Sequence, residues 1–103
     1  MNYISEHAIK RFKERYNMEL PHVNYFVLNG HKQIAYNKNG KVINNENRGI
    51  YRTVLNGQVV EYVMSFHKNG DIVICTFNVP PENLEDPCYS YRRAQWNLVE
   101  KNM

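Results

Sequence analysis

The sequence predicts an α+β domain: two amino-terminal helices packed on a three- to four-stranded antiparallel β-meander, with a carboxy-terminal helix. Three observations carry this. Apolar residues recur at helical spacing before residue 30, and from Gly49 they recur with period two. Two turn signals, Asn56-Gly57 and Lys68-Asn69-Gly70, divide the second region into three runs. At 103 residues the chain has room for one modest core and not for two. It reads as a single domain, with a core over 3–79 and a connector plus helix over 80–103.

Ser5 is a good N-cap for the first helix, with Ile4 and Ile9 placed as a hydrophobic staple and Glu6 in the first turn, where the helix dipole favours an acid. Ala8, Ile9, Phe12 and Tyr16 fall on one side and predict the buried face. Asn17 is expected to end the helix in the left-handed cap conformation. A shorter helix follows in PHVNYFVLN, with Pro21 at its first position and Gly30 just past its end. Residues 31–47 mix Lys, Asn and Gly with brief apolar patches, which predicts a weak strand and a loose basic loop.

The three runs GIYRTVL, QVVEYVMSFH and DIVICTFNV make the meander, and its turns set a register. A two-residue turn at Asn56-Gly57 pairs Val54 with Val59, Arg52 with Glu61 and Ile50 with Val63. A two-residue turn at Asn69-Gly70 pairs His67 with Ile72, Val63 with Thr76 and Glu61 with Asn78. One face then carries Tyr51, Val60, Tyr62, Met64, Phe66, Val73, Cys75, Phe77 and Val79, and should receive the helices. The opposite face carries Arg48, Arg52, Glu61, Ser65, His67, Thr76 and Asn78 among Ile50, Val54, Val63, Ile72 and Ile74. Two readings of that second face stand side by side: a solvated surface with a cross-strand ion pair, or a binding floor on which Arg48, Arg52, Glu61 and Asn78 contact a substrate. PPENLEDP reads as a stiff acidic connector, and Ser90 can cap a last helix, YRRAQWNLVEKN. Tyr89, Tyr91, Arg92, Arg93 and Trp96 form a basic-aromatic cluster there, which suits either docking on a core or stacking on unpaired bases.

Net charge is +3 and unevenly placed. Residues 7–52 hold nine Lys or Arg against three Glu, whereas 53–103 hold four against six acidic residues. A basic amino-terminal half favours a polyanionic partner and disfavours an acidic DNA mimic. The first residues lack a signal-peptide layout and no apolar run approaches membrane length, so a cytoplasmic protein without membrane contact is expected. Cys75 and Cys88 give neither a disulfide framework nor metal-ligand spacing, and Cys75 lies in an apolar strand pattern as a buried thiol would.

His7, Arg11 and Arg15 recur every four residues and form a stripe along the edge of the first helix's apolar face. Such a stripe can be a solvated rim pairing locally with Glu14, an anion-binding rail, or a catalytic edge. A histidine near a helix start is disfavoured as a cation, which suits a general base.

SEHAIKRFKERYN resembles the signature S-x-H-A-x-x-R-x-x-x-R of small bacterial and phage domains similar to the barnase–EndoU–colicin/RelE-like superfamily of metal-independent ribonuclease toxins. The likeness covers roughly residues 3–79 and includes VICTF, which places Thr76 where the family pattern carries a Thr. Two features depart from it: Asn17 replaces a Gly, and the 31–47 region is longer. The resemblance implies an RNA-binding protein, a metal-independent endoribonuclease acting through 2′-hydroxyl attack, with neither metal nor cofactor. It would put His7 in the role of base, Arg11 or Arg15 as phosphate clamp and Thr76 as hydrogen-bond donor, with Arg52 adding charge from the sheet. RNA, free or on the ribosome, and an antitoxin or host protein are the partners it suggests. The alternative is a non-catalytic phage or bacterial protein that uses the same fold to inhibit a host protein.

Overall fold

The computed structural model describes residues 1–43, 45–86 and 88–89. Its elements run β1 (Asn2–Ile4), α1 (Glu6–Arg15), α2 (Val23–Asn29), β2 (His31–Lys32), β3 (Ala35–Tyr36), β4 (Arg48–Leu55), β5 (Gln58–Phe66), β6 (Ile72–Asn78) and β7 (Cys88–Tyr89). The fold is α+β, with both helices as expected and a larger, mixed sheet in place of the simple meander. Five strands lie in the order β1-β6-β5-β4-β2, and β3 pairs with β7 in a separate two-stranded sheet. β1 runs parallel to β6, with Tyr3 opposite Val73. Three residues are too short to show a period, and a parallel partner some seventy positions away leaves no turn signal, so this strand was invisible to local patterning. The expected last helix and most of its basic-aromatic cluster lie outside the described residues.

Ser5 caps α1 as expected: its hydroxyl accepts from the Ala8 N–H at 3.0 Å. The helix ends differently, because Tyr16 takes an extended conformation at the C-cap and Asn17 is not in the left-handed region. Tyr16 is held there by its own side chain, which is buried at the sheet end and stacks on Phe12. In α2 the cap is His22, whose Nδ1 accepts from the Asn24 N–H, and Pro21 stands one position before it rather than inside the helix. Gly30 is required by space and not by its φ of −79°. A Cβ there would stand 2.2 Å from the Tyr62 hydroxyl and 2.8 Å from the Phe26 carbonyl oxygen.

The first hairpin is as read. Asn56 and Gly57 both have positive φ, 51° and 77°, as the mirror-image turn demands. Arg52 opposes Glu61, Ile50 opposes Val63 and Val54 opposes Val59. The second hairpin contains two departures that cancel. The His67 N–H donates to the Asp71 carbonyl, so Lys68, Asn69 and Gly70 make a longer loop, with Gly70 at a φ of 94°. Near the loop the register is therefore one residue off the expected one, and Phe66, not His67, opposes Ile72. A β-bulge at Cys75 absorbs the extra residue, and beyond it Val63 opposes Thr76 and Glu61 opposes Asn78 as expected. Between loop and bulge the faces are exchanged. Ile72 and Ile74 join the helix side, and Cys75 packs on the other.

The main core lies between the helices and the sheet. Phe12 and Phe26 meet Phe77 edge-on at 4.9 and 5.1 Å, and Phe26 meets Tyr62 at 5.0 Å. Such ring contacts add about 0.5–1.5 kcal/mol each beyond the area they bury. The Tyr62 hydroxyl donates to the Phe26 carbonyl at 2.6 Å, and burial pushes its pKa well above the ordinary tyrosine value. A smaller cluster of Ile50, Val63 and Cys88, with Ala35 and Cys75 against it, lies on the opposite face of the sheet.

Candidate functional site

The α1 stripe lies along the open edge of β6. Beyond the three residues paired with β1, the outward carbonyls of β6 have no strand partner among the described residues, and α1 supplies donors instead. Ser5 satisfies two carbonyls: its N–H donates to Ile74 O at 3.0 Å and its hydroxyl donates to Cys75 O at 3.1 Å. Arg15 Nη1 donates to Phe77 O. The Tyr16 hydroxyl donates to Asn78 O and accepts from the Glu61 N–H at 3.3 Å, closing the end of the β5–β6 pair. Burial raises the pKa of that hydroxyl, so it stays a donor through the neutral range. A helix edge thus replaces a sixth strand, one way that sheets protect an exposed edge.

Arg11 pairs with Glu14, Nη1 to Oε2 at 2.6 Å, and this contact lowers the Glu14 pKa. That is the local pairing allowed for in the sequence. Arg11 Nε is buried without a hydrogen-bond partner among the described residues. His7 is exposed on the first turn. Thr76 stands apart from all three. Its register partner is Val63, in the cluster on the face away from α1, whereas its neighbour Phe77 packs on Phe12 beneath the helix. The Thr76 Oγ1 is buried and has no hydrogen-bond partner among the described residues. The four residues assigned catalytic roles by resemblance therefore divide between an edge stripe and the opposite face of one strand.

The second face holds the other four candidates, and it splits them again. Arg52, Glu61 and Asn78 form one register row, as the turns required. Arg52 and Glu61 are buried, 9% and 1% exposed, so their ion pair is an interior one and not a surface pair. Arg52 Nε donates to Glu61 Oε1 at 3.1 Å, while Nη2 lies 3.0 Å from the same oxygen without the alignment of a hydrogen bond. The segment after β6 lies against them. It crosses the sheet from Asn78 to β4, where Arg52 Nη1 donates to the Leu84 carbonyl at 3.0 Å. It then returns so that Cys88 Sγ sits 3.6 Å from Glu61 Oε1 and β7 pairs with β3. A buried charge needs such company, because desolvation costs several kcal/mol per ion.

Beside this covered row the second face opens into a cavity of about 380 Å³. Arg48 and Asn78 stand at its margins, Ile50 and Val63 form its floor, and Gln33, Ala35, Ile43 and Asn45 enclose it from the loop side. Among the described residues no carboxylate lines it and no ion pair engages Arg48. The flanking segment 31–48 carries Lys32, Lys38, Lys41 and Arg48 against Glu46 alone, all of them exposed. An apolar floor, several amides and two cations, Lys32 and Arg48, give a cavity of this size the chemistry of a ligand site. Arg48 and Asn78 were legible as candidates from the strand register. The enclosing amides were not, since a loop with no period gives no sign of which face it will cover.

A second cavity of about 420 Å³ lies between the α1–α2 connection and the Asn56 turn, bounded by Met18, Glu19, Leu20, Pro21, His22 and Leu55. It contains none of the candidate residues. No group of three His, Cys, Asp or Glu among the described residues is placed to hold a metal ion. No helix among them is long and apolar enough to cross a membrane. Comparison of the chain with protein-family models, with curated proteins and with solved structures gives no match.

Proposed function

We propose that this chain is an RNA-binding protein that takes a single-stranded segment on the second face of its sheet. The observation that supports this reading best is the cavity flanked by Arg48 and Asn78 and bordered by a basic segment. A phosphate suits the guanidinium of Arg48, an unpaired base suits the floor of Ile50 and Val63, and the amides of Gln33, Asn45 and Asn78 suit the edge of that base. Cleavage by 2′-hydroxyl attack, the further step implied by the resemblance, needs a base, a cation and a donor at one phosphate. Arg15 is engaged with Phe77 O and Thr76 lies across the strand, so binding without cleavage is the reading that the geometry favours. The test is fluorescence anisotropy with a labelled single-stranded RNA over a range of salt, using the native chain and Arg48→Gln. The substitution is expected to weaken binding and to reduce the salt slope by about 1, as loss of one phosphate contact does. Absence of binding at low salt would favour the protein-inhibitor alternative. Incubation of the native chain with total RNA in chelator tests for cleavage separately, and cyclic phosphate ends lost in His7→Ala would restore the enzyme.

A further inference from the structure

We propose that the cavity on the second face reads the identity of one unpaired base, with Asn78 as the residue that discriminates. The inference rests on the RNA-binding reading and deepens it, since a strand could equally be held there without regard to sequence. Two observations separate these modes. The first is the make-up of the walls. A sequence-tolerant site stacks successive bases on aromatic rings. No ring lines this cavity among the described residues, and its floor is Ile50 and Val63. Its volume of about 380 Å³ lies near the lower end of the range for ligand pockets, about 300–1,000 Å³, which suits one nucleotide and not a stacked tract.

The second observation is which half of each amide the fold leaves over. Gln33 Nε2 donates to the His31 carbonyl at 2.8 Å, so Gln33 Oε1 remains as an acceptor. Asn45 Oδ1 accepts from the Asn47 N–H at 2.9 Å, so Asn45 Nδ2 remains as a donor. Backbone bonds hold these groups against the sheet: the Gln33 N–H donates to Ile50 O at 2.8 Å, and the carbonyl of Asn47 accepts from the Phe66 N–H at 2.7 Å. Asn78 differs. Its carbonyl accepts from the Tyr16 hydroxyl, while no hydrogen bond engages its side-chain amide among the described residues. It therefore offers a donor and an acceptor side by side, and it does so from a strand. Such a fork pairs with two adjacent groups on the edge of a base and favours bases that present that pattern. A phosphate contact, the role assigned to Arg48, carries no such information.

The experiment measures anisotropy of labelled RNA strands of about 12 nucleotides at one low salt concentration, a length within the site sizes of single-strand binders. Homopolymers of adenine, cytosine and uracil present one base in every register, so the bound position need not be known. An alternating guanine–uracil strand samples the fourth base. The native chain should bind the best of these strands at least about tenfold more tightly than the worst. Asn78→Ala should compress that spread to about threefold or less, whereas Arg48→Gln should weaken every strand by a common factor and keep their order. Asn78→Asp keeps the side chain's shape and turns the fork into two acceptors, so it should reorder the strands, and it decides the matter if the alanine variant does not fold. Binding by the native chain with a spread under about threefold overturns base readout and leaves the RNA reading intact. A wide spread whose order survives substitution of Asn78 overturns the role of that residue. No binding to any strand overturns both readings.

Discussion

Under the helices the sheet is closed by rings: Phe12, Phe26, Tyr62 and Phe77 meet edge to face, and hardly a charge intrudes. Across the same strands the opposite face is closed by an ion pair, a thiol and a strap of chain. The first face is held by shape and area, which degrade gradually when one methylene is lost. The second is held by complementarity of charge in a dry place, which fails when either partner goes. The two ways of closing a face are thereby separated by one strand thickness.

The largest expected effect breaks that second face. Glu61→Ala leaves the Arg52 guanidinium buried without its carboxylate, and a loss of about 3–5 kcal/mol in urea unfolding is expected. Arg52→Met combined with Glu61→Leu removes both charges and should recover most of that loss. If the single and double variants are equally damaged, the pair is not what holds the strap, and the contrast between the faces fails. The aromatic face offers no such rescue, because a cavity left by one ring is not repaired by removing its neighbour.

Much of this contrast could be read before the structure. The alternation of QVVEYVMSFH and the Asn56-Gly57 turn place Arg52 opposite Glu61 by counting alone. What counting misses is whether a face will be covered. An Arg-Glu pair looks the same in sequence whether water or a strap lies over it, and the covering chain arrives from more than twenty residues away. The bulge at Cys75 was equally hidden, since an extra residue in the loop and an extra residue in the strand compensate beyond it. In α1 the capping and the apolar face were legible because both are local. The use of Ser5, Arg15 and Tyr16 as donors to β6 was not, because it depends on which carbonyls the neighbouring strand leaves unpaired.

A middle-sized effect sharpens the account of that edge. Ser5→Ala removes the helix cap and the bond to the Cys75 carbonyl together, and a loss of about 1–2 kcal/mol is expected in thermal or urea unfolding. Ser5→Gly keeps the backbone freedom of a cap but lacks the hydroxyl's bond across to β6. It should therefore cost more than the few tenths of a kcal/mol that this substitution costs at an isolated cap. A cost limited to those few tenths would mean that the carbonyl edge of β6 is satisfied by water as readily as by α1.

The smallest effect bears on the residue that fits neither face's economy. Thr76 carries a buried hydroxyl with no partner among the described residues, on a strand whose other members are paired or packed. A buried hydroxyl without a hydrogen bond costs about 1–3 kcal/mol, and valine has nearly its shape without that burden. Thr76→Val is therefore expected to raise stability by about 1 kcal/mol, read as a shift in the urea midpoint with unchanged slope. The same variant separates the two accounts of the residue. If Thr76 is a packing residue, RNA affinity and any cleavage should be unaffected while stability rises. If it donates to a phosphate, as the family resemblance implies, stability rises at the expense of function, because the hydroxyl is kept unpaired for a ligand and not for the fold. A loss of stability would show that the hydroxyl has a partner in solution, and would place Thr76 with the covered row rather than with the open cavity.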